Sequence, residues 1–232
     1  HTQTAGCSLT AQQPENNIAW TGFQALAGVL GGTQSLHTNS MDETLALPTE
    51  KAAEIALRTQ QLIAYETGVS NVVDPLGGSW YIEKLTDDIE HKAEEYFSEI
   101  EALGGVVPAI EQGFFQREIA KSASDYQNKV DEGKRIVVGI NKFVKENEEI
   151  DIPILEIGSE AGQDQLKKLS ELKKNRNNKN VEDAILKIRK ACKEETNLMY
   201  PIIDAAKKYA TLGEIVHALK GEFGEWQESA VF

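Results

Sequence analysis

Gly-Gly-Thr-Gln-Ser-Leu-His-Thr-Asn-Ser-Met-Asp-Glu, residues 31–43, is the stretch whose reading decides the fold. Its middle, Thr33 to Asn39, has the length of a strand, yet it carries Gln34, His37 and Asn39. An ordinary core strand holds apolar residues at such positions, because a buried amide or imidazole without a partner costs a few kcal/mol. Ser40, Asp42 and Glu43 then crowd together where a helix could begin. Polar groups at the carboxyl end of a strand, followed by a helix, are how an α/β barrel builds a site.

Working outward, the first half reads as three units of strand, polar loop and helix. The first lacks its strand: a loop from His1 to about Gln13 leads into a helix over Pro14–Leu30, stopped by Gly31-Gly32. The second has the strand Thr33–Asn39 and a helix from about Pro48 to Thr67, with Gly68 at its carboxyl cap. Ala52, Ile55, Ala56, Thr59, Leu62 and Ile63 recur there at helical spacing and predict one buried face. The third has a short strand near Asn71–Val73, the loop Asp74-Pro75-Leu76-Gly77-Gly78-Ser79, and a long helix from about Tyr81 or Leu85 to Leu103. This alternation implies parallel strands with helices packed outside them. Two or three units cannot close an eight-stranded barrel, and His1 in place of Met reads as a missing amino-terminal portion.

Beyond Gly105 the pattern changes. Helices are expected at Val106–Gly113 and Phe115–Glu132, a strand core at Ile136–Ile140 within Arg135–Phe143, and an extended acidic stretch to Ile157. Helices follow at Gln163–Asn175, Val181–Glu195, Leu198–Lys208 and Thr211–Phe223, with Lys173–Asn180 as a polar connection and Gly158–Gly162 as the boundary before them. Thr211-Leu-Gly-Glu214 has the form of a capping box.

The 232 residues are 41% hydrophobic and 26% charged, enough for one or two domains with a real core. Twenty-four basic against 37 acidic side chains give a net charge of −13, which argues against nucleic acid or an anionic membrane as the main partner. No apolar run approaches the roughly 20 residues that cross a bilayer. Two cysteines, Cys7 and Cys192, lie far apart without metal-ligand spacing, as in a reduced, cytoplasmic compartment. Neither a P-loop nor Gly-x-Gly-x-x-Gly occurs.

Several residues then stand out as candidates. If His1 ends a barrel strand, its imidazole and the side chain of Gln3 project to the same side; otherwise His1 is a frayed end. Gly6 allows close backbone approach to a flat ligand, or simply makes a turn. Asn39 and Glu43 are four residues apart, so on a helical turn they share a face and could hold adjacent hydroxyls such as those of a ribose. Helix capping by Ser40 or Asn39, with Glu43 near the positive dipole end, explains the same residues. His37 alternates with Thr33, Ser35 and Asn39, away from Gln34, and a lone strand histidine is more often a satisfied core group than a ligand.

The literal runs add a resemblance. His-Thr-Gln-Thr-Ala-Gly-Cys-Ser-Leu-Thr (1–10), Asn-Asn (16–17), Gly-Thr-Gln-Ser-Leu-His-Thr-Asn-Ser-Met-Asp-Glu (32–43), Leu-Ala-Leu-Pro-Thr (45–49), Asp-Pro-Leu-Gly-Gly-Ser (74–79), the Gly-Gly helix end near 104, Gly-Ile-Asn-Lys-Phe (139–143) and Thr-Leu-Gly-Glu-Ile (211–215) resemble the large subunit of the methylmalonyl-CoA mutase family, in order over nearly the whole chain. The resemblance implies an α/β fold, the C-terminal part of a (β/α)8 TIM barrel followed by a mostly helical segment. Residues 1–105 would be the later barrel strands and helices, 106–160 helices and an extended linker, and 161–232 the helical segment. It implies an adenosylcobalamin-dependent isomerase that rearranges acyl-CoA thioesters through a 5′-deoxyadenosyl radical, most simply (R)-methylmalonyl-CoA to succinyl-CoA. Isobutyryl-, 2-hydroxyisobutyryl- and ethylmalonyl-CoA mutases are sister readings, and a non-catalytic partner subunit is a reading of another class.

Residue by residue, the resemblance puts His1, Gln3 and Gln34 towards the acyl-CoA and the corrin, Gly6 and Ala46 close to the corrin, and Asn39 and Glu43 near the adenosyl ribose. Cys7 departs from the Trp common in the family. The family's Asp-x-His-x-x-Gly, whose His ligates cobalt, does not occur. The expected partners are therefore a cobalamin-binding small subunit or domain, the missing amino-terminal barrel portion, and a second copy in a dimeric assembly.

Overall fold

The computed structural model describes residues 1–148 and 152–228. Residues 149–151, within the acidic stretch expected to run to Ile157, lie outside the described residues. The chain divides into two compact units, His1–Glu156 and Ile157–Ala230.

In the first unit, β1 (Thr2–Gln3) and β2 (Leu36–His37) form a parallel pair, with Thr2 beside Leu36 and Gln3 beside His37. The connection between them is α1 (Asn16–Leu30), the crossover that parallel strands require. α1 packs on β2 and on α2 (Glu50–Glu66), with Ala25 and Ala52 fully buried. Small side chains there let the two helices approach closely. Gly31-Gly32 ends α1 as the sequence suggests, with the Thr33 amide donating to the Gly28 carbonyl at 3.2 Å. Gly68, at φ 72°, follows the end of α2 in the left-handed conformation that favours glycine. Pro48 lies just outside α2 rather than in its first turn, because Thr49 is the cap: its hydroxyl accepts from the Ala52 amide.

The strands are shorter than the sequence predicts. The expected strand Thr33–Asn39 contracts to two residues, and at its carboxyl end a side chain takes the next backbone donor. The Asn39 amide donates to the Thr4 hydroxyl instead of a neighbouring carbonyl. The expected strand at Asn71–Val73 is instead a 3-10 turn, Val69–Asn71, followed by a Val73 that is 95% exposed with no strand beside it. Ile136–Ile140 forms a tight loop with a single bridge between Val138 and Lys142. There the Asn141 side chain takes the Val137 amide and donates to the carbonyls of Val130 and Arg135, leaving no free edge for a strand. Among the described residues the chain is thus mostly helical, with one parallel strand pair.

Three helices complete this unit: α3 (Trp80–Ala102), α4 (Val106–Glu111) and α5 (Phe114–Asp131). α3 buries none of its residues and exposes Trp80, Tyr81, Ile89 and Phe97.

The second unit holds α6 (Ser159–Asn175), α7 (Asn178–Lys193), α8 (Met199–Lys207) and α9 (Leu212–Phe223). Ala184, Ile188 and Cys192 of α7, spaced at four residues, meet Ala205 and Ile215 in its core. The capping box is present in both halves: Thr211 and Glu214 each bond the other's backbone amide. The expected polar connection Lys173–Asn180 shrinks to Arg176 and Asn177, since α6 and α7 run up to them. Asn177 caps α7, and the nearly buried Arg176 forks onto Glu214, Nη1 to Oε2 at 2.7 Å and Nη2 to Oε1 at 2.5 Å. The guanidinium, helped by the Thr211 amide and hydroxyl, holds the Glu214 carboxyl down from 4.5 to about 2, against the opposing effect of burial.

Candidate functional site

The carboxyl ends of β1 and β2 lie side by side and open onto a cleft of about 510 Å³. One wall is polar, with Gln3, His37, Ser40 and Glu43. The other is apolar, with Ala46, Leu47 and Pro48 before α2 and Ala53, Ala56 and Leu57 on it.

Beneath the polar wall a set of hydrogen bonds fixes the strand ends to α1 and α2. The Thr4 amide continues the strand ladder to the His37 carbonyl, and the Thr4 hydroxyl receives the Asn39 amide at 2.9 Å. Thr38 donates to the Ala56 carbonyl at 2.7 Å and accepts from Gln60 at 3.0 Å, which ties the strand end to α2. Asn17, fully buried in α1, bridges Thr10 and the Met41 carbonyl. Thr4, Thr38, Asn39 and Asp42 are all buried, so these polar groups form a fixed floor.

On that floor stands a short line of side chains. Gln3 Nε2 donates to Asn39 Oδ1, and Asn39 Nδ2 donates to Glu43 Oε1, each at 3.3 Å. The turn that carries Glu43 is closed by Ala46, which donates to the Asp42 carbonyl at 3.0 Å, and the bond from Asn39 brings the two side chains to one side. Across from it lies the 3-10 turn Gly6–Ser8, fastened to α1 by Gln24, which accepts from the Ala5 amide and donates to the Ser8 hydroxyl. A Cβ on Gly6 would stand 2.7 Å from Glu43 Oε1 and 3.2 Å from Asn39 Nδ2. Glycine is what lets the Glu43 carboxylate lie over this turn.

Of the residues singled out in the sequence, Gln3, Gly6, Asn39, Glu43 and Ala46 come together here. His1 and Gln34 do not line the cleft. His1 is exposed with Nδ1 2.8 Å from the Ser35 hydroxyl, and Gln34 is exposed on the amino side of β2. His37, weighed as a core group, is exposed and lines the cleft. Asp42 stood out in the sequence with Ser40 and Glu43 among the polar groups after the strand, but its partner Thr49, seven residues on, did not. Thr38 and Gln60 were not legible as site residues, since their partners lie 18 to 22 residues away with no local motif to signal them. Cys7 is exposed in the turn next to Gly6. Among the described residues no cluster of His, Cys, Asp and Glu could hold a metal ion, and no helix is long and apolar enough to cross a membrane.

The carboxyl edge of parallel strands, with a helix rising behind it, is where α/β folds place their ligand sites. The chain belongs to the methylmalonyl-CoA mutase family, a family of isomerases, whose sequence profile matches residues 1–225. It is 42% identical to the 2-hydroxyisobutanoyl-CoA mutase large subunit of Aquincola tertiaricarbonis over 233 residues, 100% of this chain and 42% of that protein. It is also 42% identical to the methylmalonyl-CoA mutase of Rhizobium meliloti (strain 1021) over 228 residues, 97% of this chain and 32% of the relative. Identity to the methylmalonyl-CoA mutase of Escherichia coli (strain K12) is 41% over 227 residues, again 97% and 32%. The chain therefore spans between 32% and 42% of the length of these relatives.

Proposed function

We propose that this chain supplies one wall of the active site of an adenosylcobalamin-dependent acyl-CoA mutase, with (R)-methylmalonyl-CoA to succinyl-CoA as its reaction. The observation that carries the reading is the line Gln3–Asn39–Glu43 lying against Gly6 at the carboxyl edge of the strand pair. Its donors and acceptors suit the cofactor: an adjacent amide and carboxylate match adjacent ribose hydroxyls, and the Ala46–Pro48 shelf offers apolar contact to a flat macrocycle. When bound, adenosylcobalamin supplies the radical that takes hydrogen from the substrate. The residues of this chain bind, orient and exclude water. Glu43 and Asn39 hold the ribose, Gln3 presents its amide to the acyl-CoA side, and Gly6 and Ala46 keep that surface low enough for the corrin.

In this reading His1 and Gln34, which do not line the cleft itself, face the acyl-CoA and the corrin in the complete site. The (β/α)8 barrel is completed by further strands, the cobalt ligand comes from a cobalamin-binding domain or small subunit, and the assembly is dimeric. The acidic composition and the two distant cysteines fit a cytoplasmic protein. A second reading, a 2-hydroxyisobutyryl-CoA mutase, is favoured by the relative of that name, which matches the whole chain.

Glu43→Ala in the complete enzyme tests the site. Adenosylcobalamin affinity, read by absorbance titration, is expected to fall at least tenfold. Parental affinity together with parental turnover would remove Glu43 from the site.

A further inference from the structure

Asp42 is fully buried, yet its carboxylate is only half engaged. Oδ2 accepts from the Thr49 amide at 2.9 Å and from the Thr49 hydroxyl at 3.0 Å, while Oδ1 has no hydrogen-bond partner among the described residues. Buried polar atoms are nearly always paired, so a buried carboxylate with one unpaired oxygen calls for an explanation. Capping α2 does not explain it. That task belongs to Thr49, whose hydroxyl already accepts from the Ala52 amide, and Asp42 sits one step further out.

We infer that Asp42 is the positioning residue of Glu43, fixing the 39–46 turn so that the Glu43 carboxylate stays over Gly6 at the lip of the cleft. The turn is fastened at this point from every side. The Asp42 side chain grips the head of α2, and its carbonyl accepts from the amides of Leu45 at 2.9 Å and Ala46 at 3.0 Å. The preceding carbonyl, that of Met41, is held by the fully buried Asn17 of α1 at 2.9 Å. Glu43 follows directly and is itself exposed, so nothing but the turn and the long bond from Asn39 sets where its carboxylate lies. Fixed dipoles and charges act on a ligand best when their support is rigid before the ligand arrives.

The inference rests on reading Glu43 as the ribose-side group, and its test separates the two claims. In the complete enzyme, Asp42→Ala is made alone and together with Glu43→Gln, with Asp42→Asn, which keeps an oxygen for Thr49, as the milder member if the alanine variant does not fold. Two quantities are read: adenosylcobalamin affinity by absorbance titration, and amide hydrogen exchange of the 40–46 segment without cofactor. Expected are an affinity loss of about tenfold or more for Asp42→Ala, a change below twofold for the same substitution on the Glu43→Gln background, and exchange of 40–46 raised at least tenfold. An equal affinity loss on both backgrounds would overturn the inference, since Asp42 would then act without Glu43. So would unaltered protection of 40–46. Unchanged affinity in Glu43→Gln alone would instead sink the ribose-side reading, and exchange would still decide whether Asp42 fixes the turn.

Discussion

Gly6→Ala perturbs the candidate site by one methyl group and removes no polar atom. Gly6 is not among the residues at positive φ, so alanine fits its backbone. The added carbon would lie 2.7 Å from Glu43 Oε1, 3.2 Å from Asn39 Nδ2 and 3.7 Å from Glu43 Cδ. Ordinary contact needs the carboxylate to retreat by roughly 0.5 Å or more. The bond from Asn39, already 3.3 Å, does not survive that movement. Because Glu43 is exposed, it swings towards solvent and the backbone stays in place. Loss of this part-buried hydrogen bond leaves the Nδ2 of buried Asn39 without its partner and costs about 1–3 kcal/mol, offset in part by the lower chain entropy of alanine over glycine, about 0.4–1 kcal/mol. Stability should therefore fall by no more than about 2 kcal/mol.

Binding responds differently. A hydrogen bond from a ligand hydroxyl to a charged carboxylate contributes about 1.5–3 kcal/mol, so displacing Glu43 should weaken adenosylcobalamin roughly 10- to 150-fold. Absorbance titration of the complete enzyme reads the affinity, and a urea midpoint reads the stability. A folded Gly6→Ala enzyme with parental cofactor affinity and turnover would refute the reasoning, because the place of Glu43 over Gly6 would then not matter.

Asn17→Ala removes the three hydrogen bonds to Thr10 and Met41 at a fully buried position and should destabilise the first unit by about 2–4 kcal/mol in urea unfolding; a loss under 0.5 kcal/mol would contradict the fixed floor. In the second unit, the Glu214 carboxyl is depressed from 4.5 to about 2, so its stabilising share is complete above pH 4.5 and is lost as pH falls towards 2. With the Glu214 side chain 30% exposed, that share is about 2–3 kcal/mol, and Glu214→Gln should flatten the pH dependence of helix unfolding between those values; an identical acid limb in parent and variant would exclude the Arg176 pair as its source.

What was legible in the sequence follows the range over which each feature is decided. Helices are decided locally. The stops at Gly31-Gly32 and Gly68, the apolar spacing that buries Ala52, Ala56 and Ile63, and the Thr211–Glu214 box all came through. Leu62 shares that apolar spacing but is 50% exposed, because spacing names a face without saying what covers it. Strand length was not legible, since a strand extends only as far as its neighbour and its own side chains allow. Thr4 and Asn141 divert backbone groups that longer strands would need. At the site, the four-residue spacing of Asn39 and Glu43 could be read directly. The meeting of Gly6 with Glu43, 37 residues on, and of Thr38 with Gln60 could not, because only the crossover through α1 and the packing of α2 bring them together.

Burial divides the polar residues of 31–43 into two groups with different work. Thr38, Asn39, Ser40 and Asp42 are buried, while Gln34, His37 and Glu43 are exposed. A buried amide in a site wall must be saturated, and Asn39 nearly is: its backbone amide goes to Thr4, its Oδ1 takes Gln3, and its Nδ2 goes to Glu43. Asn39 therefore sets the spacing between Gln3 and Glu43 as much as it offers a group of its own. The two ends of the line are exposed and can turn their remaining oxygens towards a ligand without uncovering a buried group. Apart from Asp42 Oδ1, the buried groups below are held by hydrogen bonds while the exposed groups above are half-used, so the wall is rigid where it is held and free to bind where it faces outward, and this is why so polar a strand end can sit in a stable fold.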